Sequence, residues 1–203
     1  MSSQGRGKHR LPRKMGQPNL RHIANICRRD YQRGAESEVR WFAIQPDLST
    51  ALKIAAFAIK PGGKRFSHQR RIPRSMLAKA HRALSGVAPS LRHLDDFEAI
   101  HNLVESTVRP IHGLGELYVY DTALRIGAYL GVLPSRVYVH AGVRKGAQRL
   151  GFQRGCRTIG LSQLPLAFRQ FAPYQVEDIL CIFKDDLSLR RRSVATIGNR
   201  SMC

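Results

Sequence analysis

Apolar residues recur at helical spacing through most of the chain. Phe97, Ile100, Val104, Val108 and Ile111 step by three or four, which predicts an amphipathic helix ended or kinked near Pro110. Leu48, Ala51, Leu52, Ala55 and Ile59 predict another, capped by Asp47 or Ser49 and stopped after Lys60 by Pro61-Gly62-Gly63. A buried strand over residues 54–59 stays open on the same pattern. Leu77, Ala80, Leu84 and Val87 face a core, with Arg74, Lys79 and Arg82 on the wet side. Residues 116–130 are apolar on most sides and belong at its centre. Shorter helices are expected over residues 36–44, 142–150 and 174–183, and strand signals are few. The pattern predicts an all-α fold: a compact multi-helix domain of about six helices.

Apolar periodicity is missing from residues 1–34, which hold many arginines, Pro12 and Pro18, and from 188–203. The expected organisation is a basic flexible arm (1–34), a single helical domain (35–187) and a basic flexible tail (188–203). No uninterrupted apolar run reaches the length of a membrane helix, and no apolar block follows the basic start as a secretory signal requires. A cytoplasmic protein that does not engage membranes is expected. The four cysteines stand far apart, so free thiols are expected.

Charge changes the picture most. The chain has 34 Lys and Arg against 14 Asp and Glu, a formal net charge of +20. Such an excess favours polyanions, because each cation set against a phosphate releases a condensed counterion. Its distribution is uneven. Residues 41–93 hold ten basic residues and one acid, Asp47, while residues 94–187 hold ten of each sign. Within the second stretch, Asp95, Asp96, Glu98, Glu105, Glu116 and Asp121 are accompanied only by Arg109. That acidic 95–121 face is a candidate contact for a basic protein.

Three stretches are candidates for nucleic-acid contact. The first is Gly113-Leu114-Gly115 between two predicted helices, where the backbone can approach a phosphate. The second runs from Gly62 to Arg71, where Lys64, Arg65, His68, Arg70 and Arg71 suit phosphate contact and Phe66 suits base stacking. The third is the helix face of Arg144, Lys145, Gln148 and Arg149, spaced i,i+4. Pairing of that face to the acidic stretch is its alternative reading.

Ile111-His112-Gly113-Leu114-Gly115, followed by Gly131, Pro134, Val137, His140 and the basic helix before Gly151, resembles the helix-hairpin-helix DNA glycosylases over roughly residues 95–151. The resemblance implies a helix-hairpin-helix-like element and a DNA-binding scaffold. The family's catalytic Asp falls at Tyr138, and its lysine nucleophile at Glu116-Leu117, so neither catalytic group is matched. The expected function is non-catalytic DNA binding through backbone phosphates, with DNA favoured over RNA. The alternatives are a DNA-processing enzyme of that type, with His140 or Asp121 as acid or base, and an RNA-bound structural protein. Asp121 and Arg125 are i,i+4 and read first as an ion pair. No histidines share metal-ligand spacing, and neither a metal nor a cofactor is expected.

Overall fold

The structure is a computed structural model, and it describes residues 20–187. The expected tail, 188–203, and the arm as far as residue 19 lie outside the described residues. Among the described residues the chain is mainly helical, with nine α-helices and one two-stranded sheet. In order these are α1 (Leu20–Asp30), α2 (Gln32–Ala43), α3 (Leu48–Ala56), α4 (Arg74–Gly86), α5 (Ala88–Leu91), α6 (Phe97–Val108), α7 (Glu116–Leu130), β1 (Arg136–Tyr138), α8 (Ala141–Arg149), β2 (Thr158–Gly160) and α9 (Pro173–Ile182). No helix among the described residues is long and apolar enough to cross a membrane.

The arm expected over 1–34 is helical from Leu20 onward, which corrects that boundary. Ile23, Ala24 and Cys27 of α1 are buried, and with Leu20 they form an i, i+3, i+4, i+7 stripe under a cover of arginine and histidine. Hydrophobic burial of that stripe outweighs the local charge. The helix count exceeds the expected six, since α1 and the one-turn α5 lacked a long apolar period.

Two apolar clusters build the core. The larger lies among α2, α3, α4, α6 and α7, with Phe42, Leu52, Leu77, Leu84, Ile100 and Ile126 fully buried. The smaller joins α1, α8, α9, β1 and β2 through Ile23, Val143, Leu150, Ile159 and Leu180. Helix α7 runs through the larger cluster with nine buried residues, as its apolar pattern predicts. Its C-terminus is closed by Gly131 at φ +76, a left-handed conformation that glycine adopts without a Cβ clash. Gly146 lets α8 close on α9, because a Cβ there would fall 2.1 Å from the Leu180 carbonyl oxygen.

Asp47 caps α3 by accepting from the Thr50 N–H at 2.7 Å. The helix stops at Ala56, short of Lys60, because Ala58 takes φ +54 and turns the chain. The strand left open over 54–59 survives only as a bridge between Ile59 and Arg65, closed by Gly62 and Gly63 at positive φ. Strand β1 pairs antiparallel with β2, Val137 opposite Ile159.

Candidate functional site

The Gly62–Arg71 loop is tied to α7 by a polar knot. Asp121 accepts from Gln69 Nε2 at 2.8 Å, and its Oδ2 lies 2.7 Å from His68 Nε2. Arg125, 2% exposed, donates to Gln69 Oε1 at 2.9 Å and pairs with Asp121 at 3.4 Å and with Glu38 at 3.6 Å. Its guanidinium lies 4.2 Å from the centre of the Phe66 ring. Phe66 is therefore a core residue, and its expected role in stacking a base is corrected. Arg65 is half-buried and donates to the Ile72 carbonyl at 2.7 Å, so it and His68 hold the loop's shape. Lys64, Arg70 and Arg71 are the loop cations turned to solvent.

The turn joining α6 to α7 carries Gly113 at φ +86 and buries Leu114, while Gly113 and Gly115 are exposed. Gly115 precedes α7 with no side-chain cap, leaving first-turn N–H groups of the 15-residue helix without a capping side chain. Glu116 at the first helical position places a carboxylate there instead. It accepts from Arg144 at 2.9 Å.

That pair bears on the α8 face. Arg144 is bound to Glu116, Lys145 pairs with Asp185, and Arg149 lies close enough to lower the Asp185 pKa, after the larger effect of Lys145. The face expected to contact nucleic acid is compensated by the protein's own acids. Glu105 is likewise paired, with Arg157 at 3.5 Å, and Asp96 caps α6 by accepting from Ala99 at 2.9 Å. Much of the acidic 95–121 stretch thus has internal work.

The two catalytic candidates lie in structural contacts. Asp121 is the centre of the knot. His140 is buried and caps α8, its Nδ1 accepting from the Gly142 N–H at 3.2 Å. Nε2 therefore carries the proton and donates to Glu177 Oε1 at 2.6 Å. Burial raises the Glu177 pKa, against the opposing pull of His140. Cys27 and Cys181 are free thiols, as expected, pushed up to about 12 and about 11 by burial.

Two features were not singled out from sequence. One is a cleft of about 470 Å³ between the two apolar clusters, lined by Glu98, His101 and Asn102 of α6 and by Tyr120, Tyr138 and His140 across from them. Its α6 wall follows an i, i+3, i+4, i+7 polar stripe (98, 101, 102, 105), legible as the complement of the apolar one. No group of three or more metal-ligating side chains is found among the described residues.

The other extends the Gly62–Arg71 loop onto the exposed side of α3 and α4, where the sequence placed Arg74, Lys79 and Arg82 on a wet face without assigning it a role. Of the ten cations in residues 41–93, Lys53, Lys64, Arg70, Arg71, Arg74, Lys79, Arg82 and Arg92 are exposed, while Lys60 and Arg65 are half-buried. None of the ten pairs with an acid among the described residues, and Asp47 is held by the α3 cap. Lys53 adds to burial in lowering the His81 pKa. No family model, no curated protein and no solved structure matches this chain.

Proposed function

We propose that this protein binds DNA without acting on it chemically, through phosphate contacts made by the basic surface of residues 41–93. The observation that carries the reading is a surface of eight exposed cations with no pairing acid among the described residues, whereas Arg144, Lys145 and Arg157 beyond it each meet a carboxylate. Clustered like charges repel and oppose folding, and a polyanion relieves that repulsion while releasing its own counterions. The Gly113-Leu114-Gly115 turn supports the reading as a helix-hairpin-helix-like element, since its exposed glycines leave room for a phosphate.

The test is binding of the full chain to duplex DNA across a salt series, compared with a Lys64→Ala, Arg70→Ala, Arg71→Ala triple variant. Three lost phosphate contacts lower the log–log salt slope by about 2.7, from about 0.9 per phosphate. A wild-type affinity that does not change with salt, or no binding at low salt, rejects the reading.

A further inference from the structure

Resting on that reading, we infer that α4 is the element laid against the nucleic acid, and that it fits a B-form duplex. Helix α4 spans 13 residues and turns Leu77, Ala80 and Leu84 into the core. Those three lie within a 60° arc on a helical wheel, and the opposite side carries Ser75, Lys79, Arg82 and Gly86, all exposed. Arg74 flanks this side, 5.9 Å from the Phe57 ring of α3. The first turn of α4 holds no acid and no side-chain cap, and its leading residue is an arginine. An arginine there opposes the helix dipole, so the cations on this helix weaken it in isolation.

The spacing fits a duplex. Arg74 and Arg82 stand eight residues apart, about 12 Å along the axis at 1.5 Å per residue. That is about the width of the B-DNA major groove, so a helix laid across it brings one cation to each strand. Between the two arginines the exposed positions are Ser75 and Lys79, with half-buried Ala78 at the edge of the face, and the small Ser75 and Ala78 permit close approach of the helix backbone. A-form RNA has a deep, narrow major groove that admits no such approach. The partner is therefore duplex DNA.

The deciding variant is Ser75→Glu. A carboxylate in the first turn of α4 favours the helix, so thermal stability is unchanged or raised. On the DNA-binding face it has the opposite effect. The full chain carrying Ser75→Glu, and separately Arg82→Glu, is expected to bind a 20-base-pair duplex at least tenfold more weakly. Gln153→Glu, the same single-charge change as Ser75→Glu at an exposed position after α8, is expected to weaken it less than twofold.

Loss of binding in His112→Glu on the α6–α7 turn, with both α4 variants unaffected, overturns the assignment to α4 and leaves DNA binding standing. Equal or tighter binding of a double-stranded RNA of the same length also overturns it. Failure of the wild-type chain to bind either duplex rejects the reading on which the inference rests.

Discussion

Arg144 reaches Glu116 at 2.9 Å and Arg157 reaches Glu105 at 3.5 Å, whereas Arg74, Lys79 and Arg82 of α4 pair with no acid among the described residues. Both halves of the molecule are rich in arginine. In residues 94–187 acids answer four of the ten cations, Arg125, Arg144, Lys145 and Arg157, and Arg144 with Glu116 joins α7 to α8. In residues 41–93 the only acid caps a helix. Exposed pairs contribute little to stability, about 0–1 kcal/mol each, so the pairing matters less for folding than for what it leaves available. A cation already beside a carboxylate is a poor ligand for phosphate; one without an acid is a ready one. The comparison therefore separates the unpaired cations of α4 from Arg144 and Lys145 of α8, which net charge does not.

The two halves meet at Arg125, where the sharpest break in the comparison is expected. Arg125→Ala removes the cation beside Asp121, leaves Gln69 Oε1 without its donor and strips the Phe66 ring of its cation. Removing one member of a buried pair costs about 3–5 kcal/mol, and chemical denaturation measures it. The loop cations Lys64, Arg70 and Arg71 lose their anchor as well, so DNA affinity falls although none of them is changed.

A second buried pair lies wholly in the compensated half. Glu177→Ala leaves the His140 Nε2–H without an acceptor, at a cost of about 1–3 kcal/mol. Glu177→Gln keeps an acceptor and reports the carboxylate's own burden. Burial raises the Glu177 pKa above its ordinary 4.5, so the native state binds the proton more tightly than the unfolded chain. Wild-type stability is then expected to fall relative to Glu177→Gln as pH rises from 4.5 through the folded value, measured by urea denaturation at each pH. A constant difference across that range refutes the assignment.

How much of this was legible beforehand depended on the range of the interaction. The spacing of Phe97, Ile100, Val104 and Val108 is local and predicted α6 closely, and the bounds expected for α7 match its observed 116–130. Asp47 as a cap and Asp121–Arg125 as an ion pair are also local relations, and both are present. Helix α1 was hidden because its four-residue stripe alternates with charges that suggested an arm. The loop was read by its composition, and composition does not tell Lys64, which faces solvent, from Arg65, which holds the Ile72 carbonyl. Partners such as His68 with Asp121 and His140 with Glu177 are 53 and 37 residues apart, a distance no local pattern spans. The segregation of charge was visible; which cations would be matched required the fold.

Smaller effects separate the halves by sign. Arg144→Gln removes an attraction and is expected to destabilise by up to about 1 kcal/mol, a value limited by solvent screening at about 40% exposure. Arg74→Gln removes a repulsion and an unfavourable charge at a helix N-terminus, and is expected to stabilise by about 0.3–1 kcal/mol. Added salt diminishes both differences. Two changes of the same sign would mean that Arg74 is matched by an acid after all.

The finest probe uses two histidines, one in each half. Burial is the larger cause lowering the His81 pKa, and Lys53 adds to it. Burial also lowers that of His101, but there Glu105 and the Asn102 hydrogen bond raise it, with Glu98 adding least, against an effect of Arg157 weaker than that of Glu105. Salt screens the charges and leaves the burial. Raising salt, or making Lys53→Gln, is therefore expected to move the His81 pKa upward towards 6.5, while salt moves that of His101 further down, by NMR titration of the ring protons. The stability contribution has one sign at both sites. A folded pKa below the unfolded one favours folding above about pH 6.5, and that contribution is lost as pH falls from 6.5 towards the folded value. DNA bound on the α3–α4 side would act on His81 in the same direction as salt but more strongly, since phosphates beside Lys53 would neutralise its field at short range. A His81 pKa that rises on DNA binding while that of His101 stays still would place the DNA on the α3–α4 side of the molecule; the reverse pattern would place it over the cleft.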